Sequence, residues 1–309
     1  MESNVHLTKD LFVPIQDHLK DVEKINSPTV SFWRDVWRRL KENKLAMAGL
    51  MVTLLLLLLA AIGPYLNGYS YYEQDFTQKN LTPNAEHWFG TDQAGRDIFT
   101  RAWYGARISL FIGFMAAMID FIIGIFYGGI AGLKGGRADN VMMRISEILY
   151  SIPYLLMVIL IMIVLERGIW PIIIAMSITG WIPMARLVRG QVMQLKEQDF
   201  VQAANAMGSN TLWVLRKHLV PNTMGPILVN VTLTVPNAIF AEATLSFLGL
   251  GIPAPEASWG TMVSDALGSI LIGNFYQLAI PAILISLTMF AFNVLGDGLR
   301  DALDPKLRK

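Results

Sequence analysis

The chain contains no cysteine, and its four histidines, His6, His18, His87 and His218, fall at no metal-binding spacing. Disulfides, thiolate metal sites and cysteine nucleophiles are therefore excluded, and no metal centre is expected. Charge is also scarce: Asp, Glu, Lys and Arg make up 16% of 309 residues, and 25 basic against 24 acidic groups leave a net charge of +1. Such a balance offers nothing to a polyanion, so nucleic acid is not an expected partner. The phosphate-cradling pattern GxxxxGK(S/T) occurs nowhere. If ATP drives this protein, another chain binds it, and no cofactor is expected here.

What the chain has in abundance is apolar surface, with 53% hydrophobic residues and a mean hydropathy of +0.44. Six nearly uncharged runs, at about 45–63, 108–133, 148–165, 169–188, 225–250 and 278–296, approach the roughly 20 residues that a helix needs to cross a bilayer. An all-α, polytopic membrane protein with six transmembrane helices is the expectation. The first run, with leucine at every position from Leu54 to Leu59, reads as an uncleaved anchor. With the N-terminus placed inside, 20 of the 25 Lys and Arg residues fall on the inner side and 5 on the outer, which puts both termini in the cytoplasm.

The remaining segments divide accordingly. Residues 1–30 are polar and read as a mobile cytoplasmic tail. Residues 31–44 place Trp33, Val36, Trp37 and Leu40 on one helical face and basic groups on another, which predicts an amphipathic helix at the membrane interface. That helix serves either as an elbow on a partner span or as a plain anchor. An extracellular loop is expected over 64–105, with Thr91 as a helix cap and Asp97 paired to Arg101 at i,i+4. Residues 106–300 are expected to form a five-helix transmembrane core, and 301–309 a cytoplasmic tail.

One cytoplasmic stretch, 198–221, breaks the apolar pattern. Phe200, Ala203, Ala204 and Met207 recur at helical spacing until Gly208 interrupts them. Ser209 or Asn210 can cap a second short helix carrying Leu212, Leu215 and Leu219, and Pro221 closes the segment before the next span. Two short helices at an angle suit either a groove on a cytoplasmic partner or the surface of anionic lipid.

Polar residues inside the spans form a second candidate group. Asp120 and Glu242 lie within apolar runs, where ionisable groups are functional suspects. They either carry protons in an ion-coupled transporter or are satisfied at helix interfaces by neighbours such as Asn230, Asn237 or Asn293. Asn230 and Asn237 are seven apart on one helical face and either line a path or hold helices together. Prolines 153, 183, 226 and 236 are expected to kink or start helices.

The 198–221 stretch resembles the EAA loop of ABC importer permeases, through Ala203, Ala204, Gly208 and Pro221 at the spacing of that motif. Gln202 stands at the motif's acidic position and His218 at a hydrophobic one, so the salt bridge of the usual glutamate is not carried over. Four further blocks are similar to the second permease subunit of oligopeptide and dipeptide importers: "FGTDQAGRDIFTRAWYGARISL" (89–110), "GGRADNVMMRISEILYSIPYLLMVI" (135–159), "EATLSFLGLGIPAPEASWGTM" (242–262) and "FNVLGDGLRDALDP" (292–305). The "LDPKLRK" ending is most similar to the oligopeptide members. The resemblance implies a type I importer permease in a bacterial cell membrane, without catalysis of its own. It also implies a homologous second permease, two cytoplasmic ABC ATPases that hold ATP and Mg, and an extracellular peptide-binding protein. Gln202, Ala203, Ala204, Gly208, Leu212, Leu215 and Pro221 would form the ATPase-coupling loop, and the 245–260 region an external gate. Dipeptides, nickel and haem are carried by the same architecture.

Overall fold

A computed structural model describes residues 32–304; the tail expected over 1–30 and the last residues of the tail expected over 301–309 lie outside the described residues. Helices account for the regular structure there, beside one isolated antiparallel bridge between Thr91 and Asp97. Five helical stretches are long and apolar enough to cross a membrane, and a bent pair adds a sixth if counted as one span.

Helix α1 (Phe32–Glu42) is amphipathic as expected, but its apolar residues divide. Val36 and Leu40 are buried with Ala46, Val229, Ala302 and Leu303, whereas Trp33 and Trp37 are exposed. Helix α2 (Lys44–Ile62) starts where the Asn43 side chain accepts the Ala46 N–H at 3.1 Å. Its run of leucines is largely exposed, which suits a helix whose solvent is lipid.

Helix α3 (Ile98–Lys134) begins ten residues before the expected span and takes the end of the expected 64–105 loop into itself. The cap is Asp97, which accepts the Thr100 N–H at 2.8 Å, and not Thr91, whose hydroxyl donates to the Gln78 carbonyl and accepts the Leu81 N–H. Nor does Asp97 pair with Arg101. Asp97 binds His87 Nδ1 at 2.8 Å and Asn67 Nδ2 at 2.7 Å, leaving Arg101 to Asp265 at 3.0 Å and Asp92 at 3.6 Å. A cap aimed at the first turn's N–H groups points away from the residue one turn on, so the i,i+4 rule for exposed helix faces fails at this position.

The expected third span is two helices, α4 (Gly136–Ser151) and α5 (Tyr154–Leu165), bent by 81°. Pro153 supplies no N–H and holds Ile152 in an extended conformation (φ −72°, ψ 127°), so the helix cannot continue through them. Helix α6 (Ile169–Leu195) runs seven residues past its expected end and packs along α3. That seam depends on Gly124, Gly128 and Gly132, one helical turn apart on α3: a β-carbon at Gly128 would strike the Ala185 backbone, and one at Gly132 would stand 2.8 Å from the Arg189 carbonyl oxygen.

Two short helices, α7 (Asp199–Ala206) and α8 (Thr211–Val214), lead through a π-turn at Leu215–Leu219 into α9 (Val220–Leu245). Pro221 does not close this segment as expected. It sits in the first turn of α9, where its missing N–H costs nothing and the helix runs on. A second π-turn, Ser246–Leu250, contains Gly249 in the left-handed region (φ 78°), where the helix stops. Helix α10 (Trp259–Ile270) starts at a capping box between Ser258 and Thr261. Helix α11 (Tyr276–Leu303) completes the described fold.

Candidate functional site

The stretch singled out from sequence is a compact two-helix unit with an inner and an outer face. Val201, Ala204, Val214, Leu215 and Leu219 are buried against Val188 and Val192 of α6 and Ile227 of α9. Gln202, Ala203, Phe200, Met207, Leu212, Trp213 and Pro221 are exposed. Ala204 and Leu215, expected on a docking surface, therefore belong to this chain's own core. They hold the unit in place instead of presenting it.

Gly208 joins the two helices with φ +78°, and the N–H of Ser209 reaches the Ala204 carbonyl at 3.2 Å, the geometry of a glycine-terminated helix end. No atom lies within 4 Å of where its β-carbon would be, so its role within the chain is conformational and not one of close packing. Asn210 then provides the expected cap by accepting the Leu212 N–H at 3.1 Å. On the outer face, the Trp213 and Phe200 rings flank His218, with centroids 5.0 and 6.0 Å away. Trp213 is not among the residues singled out from sequence, where the leucine repeat is the clearer pattern, yet an exposed tryptophan beside exposed Leu212 is itself a surface-binding signal.

The second group of candidates separates in space. Asp120 on α3, Asn230 and Asn237 on α9, Thr179 on α6, and Tyr150 and Tyr154 at the α4–α5 break line one cleft of about 630 Å³. The Asp120 side chain is 6% exposed, its Oδ1 has no hydrogen-bond partner, and it lies against Gly180, whose missing side chain makes room for it. Neither Asn230 nor Asn237 bonds to it, contrary to the expected structural pairing.

Glu242 is fully buried and does not line this cleft. Its Oε1 accepts hydroxyl hydrogen bonds from Ser246 and Ser258, both at 2.7 Å, and its Oε2 one from Ser109 at 3.4 Å. Ser109 in turn accepts the Trp259 N–H at 3.1 Å, so a single carboxylate ties α3, α9 and α10 together. The expected asparagine partners are absent from this network. Serines at a helix N-cap and a facing helix take their place, a pairing that depends on the fold and not on spacing. Asp120 and Glu242 are thus not brought into one site, as a two-carboxylate proton relay would need.

On the side of the fold where α3 begins, the segment 66–97 is fastened down by charge. Arg96 reaches Asp92 at 2.6 Å and Asp265 of α10 at 2.9 Å, while Gln277 of α11 donates to the Thr91 carbonyl at 3.0 Å. Near the opposite end of α3, Arg189 of α6 grips Asp139 of α4 through two hydrogen bonds of 2.5 and 2.6 Å, fixing the first half of the bent pair. Among the described residues, no group of three or more His, Asp or Glu side chains is placed to hold a metal ion.

Comparison with known proteins agrees with this architecture. Residues 102–309 match the model of the binding-protein-dependent transport system inner membrane component family, and residues 31–83 match the N-terminal TM domain of oligopeptide transport permease C. The chain is 57% identical over 308 residues to the dipeptide transport system permease protein DppC of Bacillus subtilis, covering 100% of this chain and 96% of that one. It is 54% identical over 306 residues to the oligopeptide transport system permease protein OppC of the same organism (98% and 99% covered), and 41% identical over 288 residues to that of Escherichia coli K12 (93% and 95%). Among solved structures, an inward-facing MetNI methionine ABC transporter chain superposes with a TM-score of 0.53 at 20% identity, over 65% of this chain and 94% of its own, a likeness of fold alone. The α3–α6 seam, the two-helix unit and the helices around the cleft all fall within the matched region, and the chain belongs to the binding-protein-dependent transport system inner membrane component family, the multi-pass permeases of bacterial ABC importers.

Proposed function

We propose that this chain is the membrane-spanning subunit of an ATP-driven peptide importer, forming half of the translocation path and receiving mechanical work through the 198–221 unit. The observation that carries the reading is the division of that unit. One face is bolted to α6 and α9, while Phe200, Met207, Leu212 and Trp213 stand outside on a chain with no nucleotide motif of its own. A rigid lever with an exposed aromatic tip transmits a partner's movement to the helices that line the cleft.

The partners are those that membership of the family implies. Two cytoplasmic ATPases bind ATP and Mg and dock the unit, a homologous permease supplies the other half of the path, and an extracellular binding protein delivers peptide. The basic residues orient the chain with both termini in the cytoplasm of a bacterial cell, 20 of 25 lying on that side. The 245–260 region, with Gly249 at its turn, forms the external gate. Peptide as substrate rests on the two Bacillus subtilis relatives, whose dipeptide and oligopeptide names accompany 57% and 54% identity. The reading is made for peptides as a class, with oligopeptides favoured by the match of residues 31–83.

Purification from the native membrane tests the assembly. A second permease and one or two chains bearing GxxxxGK(S/T) should accompany this one. Gly208→Trp should abolish ATP-dependent uptake of peptide while the chain stays in the membrane, because a bulky residue disfavours the φ +78° turn and intrudes on the docking face. Normal uptake in that variant refutes the coupling role.

A further inference from the structure

The cleft has a one-sided chemistry. Among its lining residues, Asp120 is the sole charged side chain, and no Lys or Arg accompanies it. Its Oδ1 is buried without a partner, and the hydroxyl of Tyr154, another lining residue, is also buried without one. A buried carboxylate normally recovers its lost hydration through a cation or several donors, as Glu242 does through three serines. Asn230, Asn237 and Thr179 line the same cleft and bring amide and hydroxyl groups to it. Gly180 lets the carboxylate sit against α6, since a β-carbon there would stand 2.8 Å from both of its oxygens.

We infer that Asp120 is the acceptor for the primary ammonium group of a peptide passing through the cleft, making this subunit the half of the path that recognises the amino end. An ammonium presents three donors and a full positive charge, which one carboxylate flanked by amide and hydroxyl oxygens satisfies. A peptide's carboxyl end finds no cationic side chain here and is left to the other half of the path. A metal ion is a poorer occupant, because the cleft offers one carboxylate and no histidine.

The inference rests on the peptide-importer reading, and the test separates the two. The complete transporter in liposomes receives equal amounts of binding protein preloaded with tri-alanine or with N-acetyl-tri-alanine, and ATP-dependent import of each is measured. Asp120→Asn should lower tri-alanine import about tenfold, the effect of losing one charge-assisted hydrogen bond, and leave the acetylated probe unchanged. Asp120→Glu should restore part of the loss. Should Asp120→Asn fail to assemble, Gly180→Ala serves in its place, because its methyl group crowds the carboxylate and should lower tri-alanine import alone. Equal loss for both probes, or no loss for either, overturns the inference while wild-type import still supports the importer. Import that follows a proton gradient through Asp120 also overturns it. If the wild-type complex imports neither probe, the importer reading fails and the inference falls with it.

Discussion

Asp120 and Glu242 are the same kind of group in the same kind of place, a carboxylate inside an apolar helix, and the fold treats them in opposite ways. Glu242 is enclosed by Ser109, Ser246 and Ser258 from three parts of the chain. Asp120 faces a cleft with one oxygen unpartnered. Desolvation costs both of them, but only Glu242 recovers that cost within the chain. An intramembrane carboxylate is therefore a structural pin where donors from several elements converge on it, and a candidate ligand site where they do not.

Substitutions can break this contrast. The largest effect is expected from Glu242→Leu, which leaves the three serine hydroxyls in a sealed interior without their acceptor. A loss of about 3 kcal/mol is expected, visible as failure to accumulate in the membrane or a much lower melting temperature of the purified complex. A stable variant would mean that α3, α9 and α10 are held by packing alone. Ser258→Ala should come next, at about 1.5 kcal/mol, since that hydroxyl both donates to Glu242 and caps α10. Thermal unfolding of the assembled transporter measures it.

Asp120→Asn should be the mildest for stability, within about 0.5 kcal/mol, because no partner inside the chain is lost. Its consequence should appear in peptide import instead. Matching stability losses for Asp120→Asn and Glu242→Leu would erase the distinction between the two sites.

The 198–221 unit shows how much local spacing determines. Its two helices, the Gly208 break and the Asn210 cap were legible, because glycine conformation and capping are local properties of the chain. Which leucine and which alanine face inward was not. Leu212, Leu215 and Leu219 share a helical repeat, yet Leu215 and Leu219 are buried while Leu212 is exposed. The π-turn at Leu215–Leu219 shifts the register between them, and α6 and α9 then select the side that is covered. Pro221 misled for a related reason. A proline reads equally as the end of one segment or the first turn of the next, and the continuity of the helix decides between them.

Other features had sequence signals that went unused. Gly124, Gly128 and Gly132, four apart on an apolar run, mark a close helix contact, and the structure finds it at the α3–α6 seam. The Ser258/Thr261 capping box marks the start of α10.

By itself, the sequence determined that this chain is helical and membrane-embedded, which segments cross, and where a polar two-helix unit interrupts them. Those properties follow from apolar run length and from backbone preferences that act within a few residues. Only the tertiary structure decided that the expected third span is two helices meeting at 81°, that the 66–97 segment is clamped to α10 and α11, and that Asp120 and Glu242 have different surroundings. Each of these depends on groups far apart in the chain meeting in a medium without water, where an unsatisfied polar atom must find whatever partner the packing brings to it.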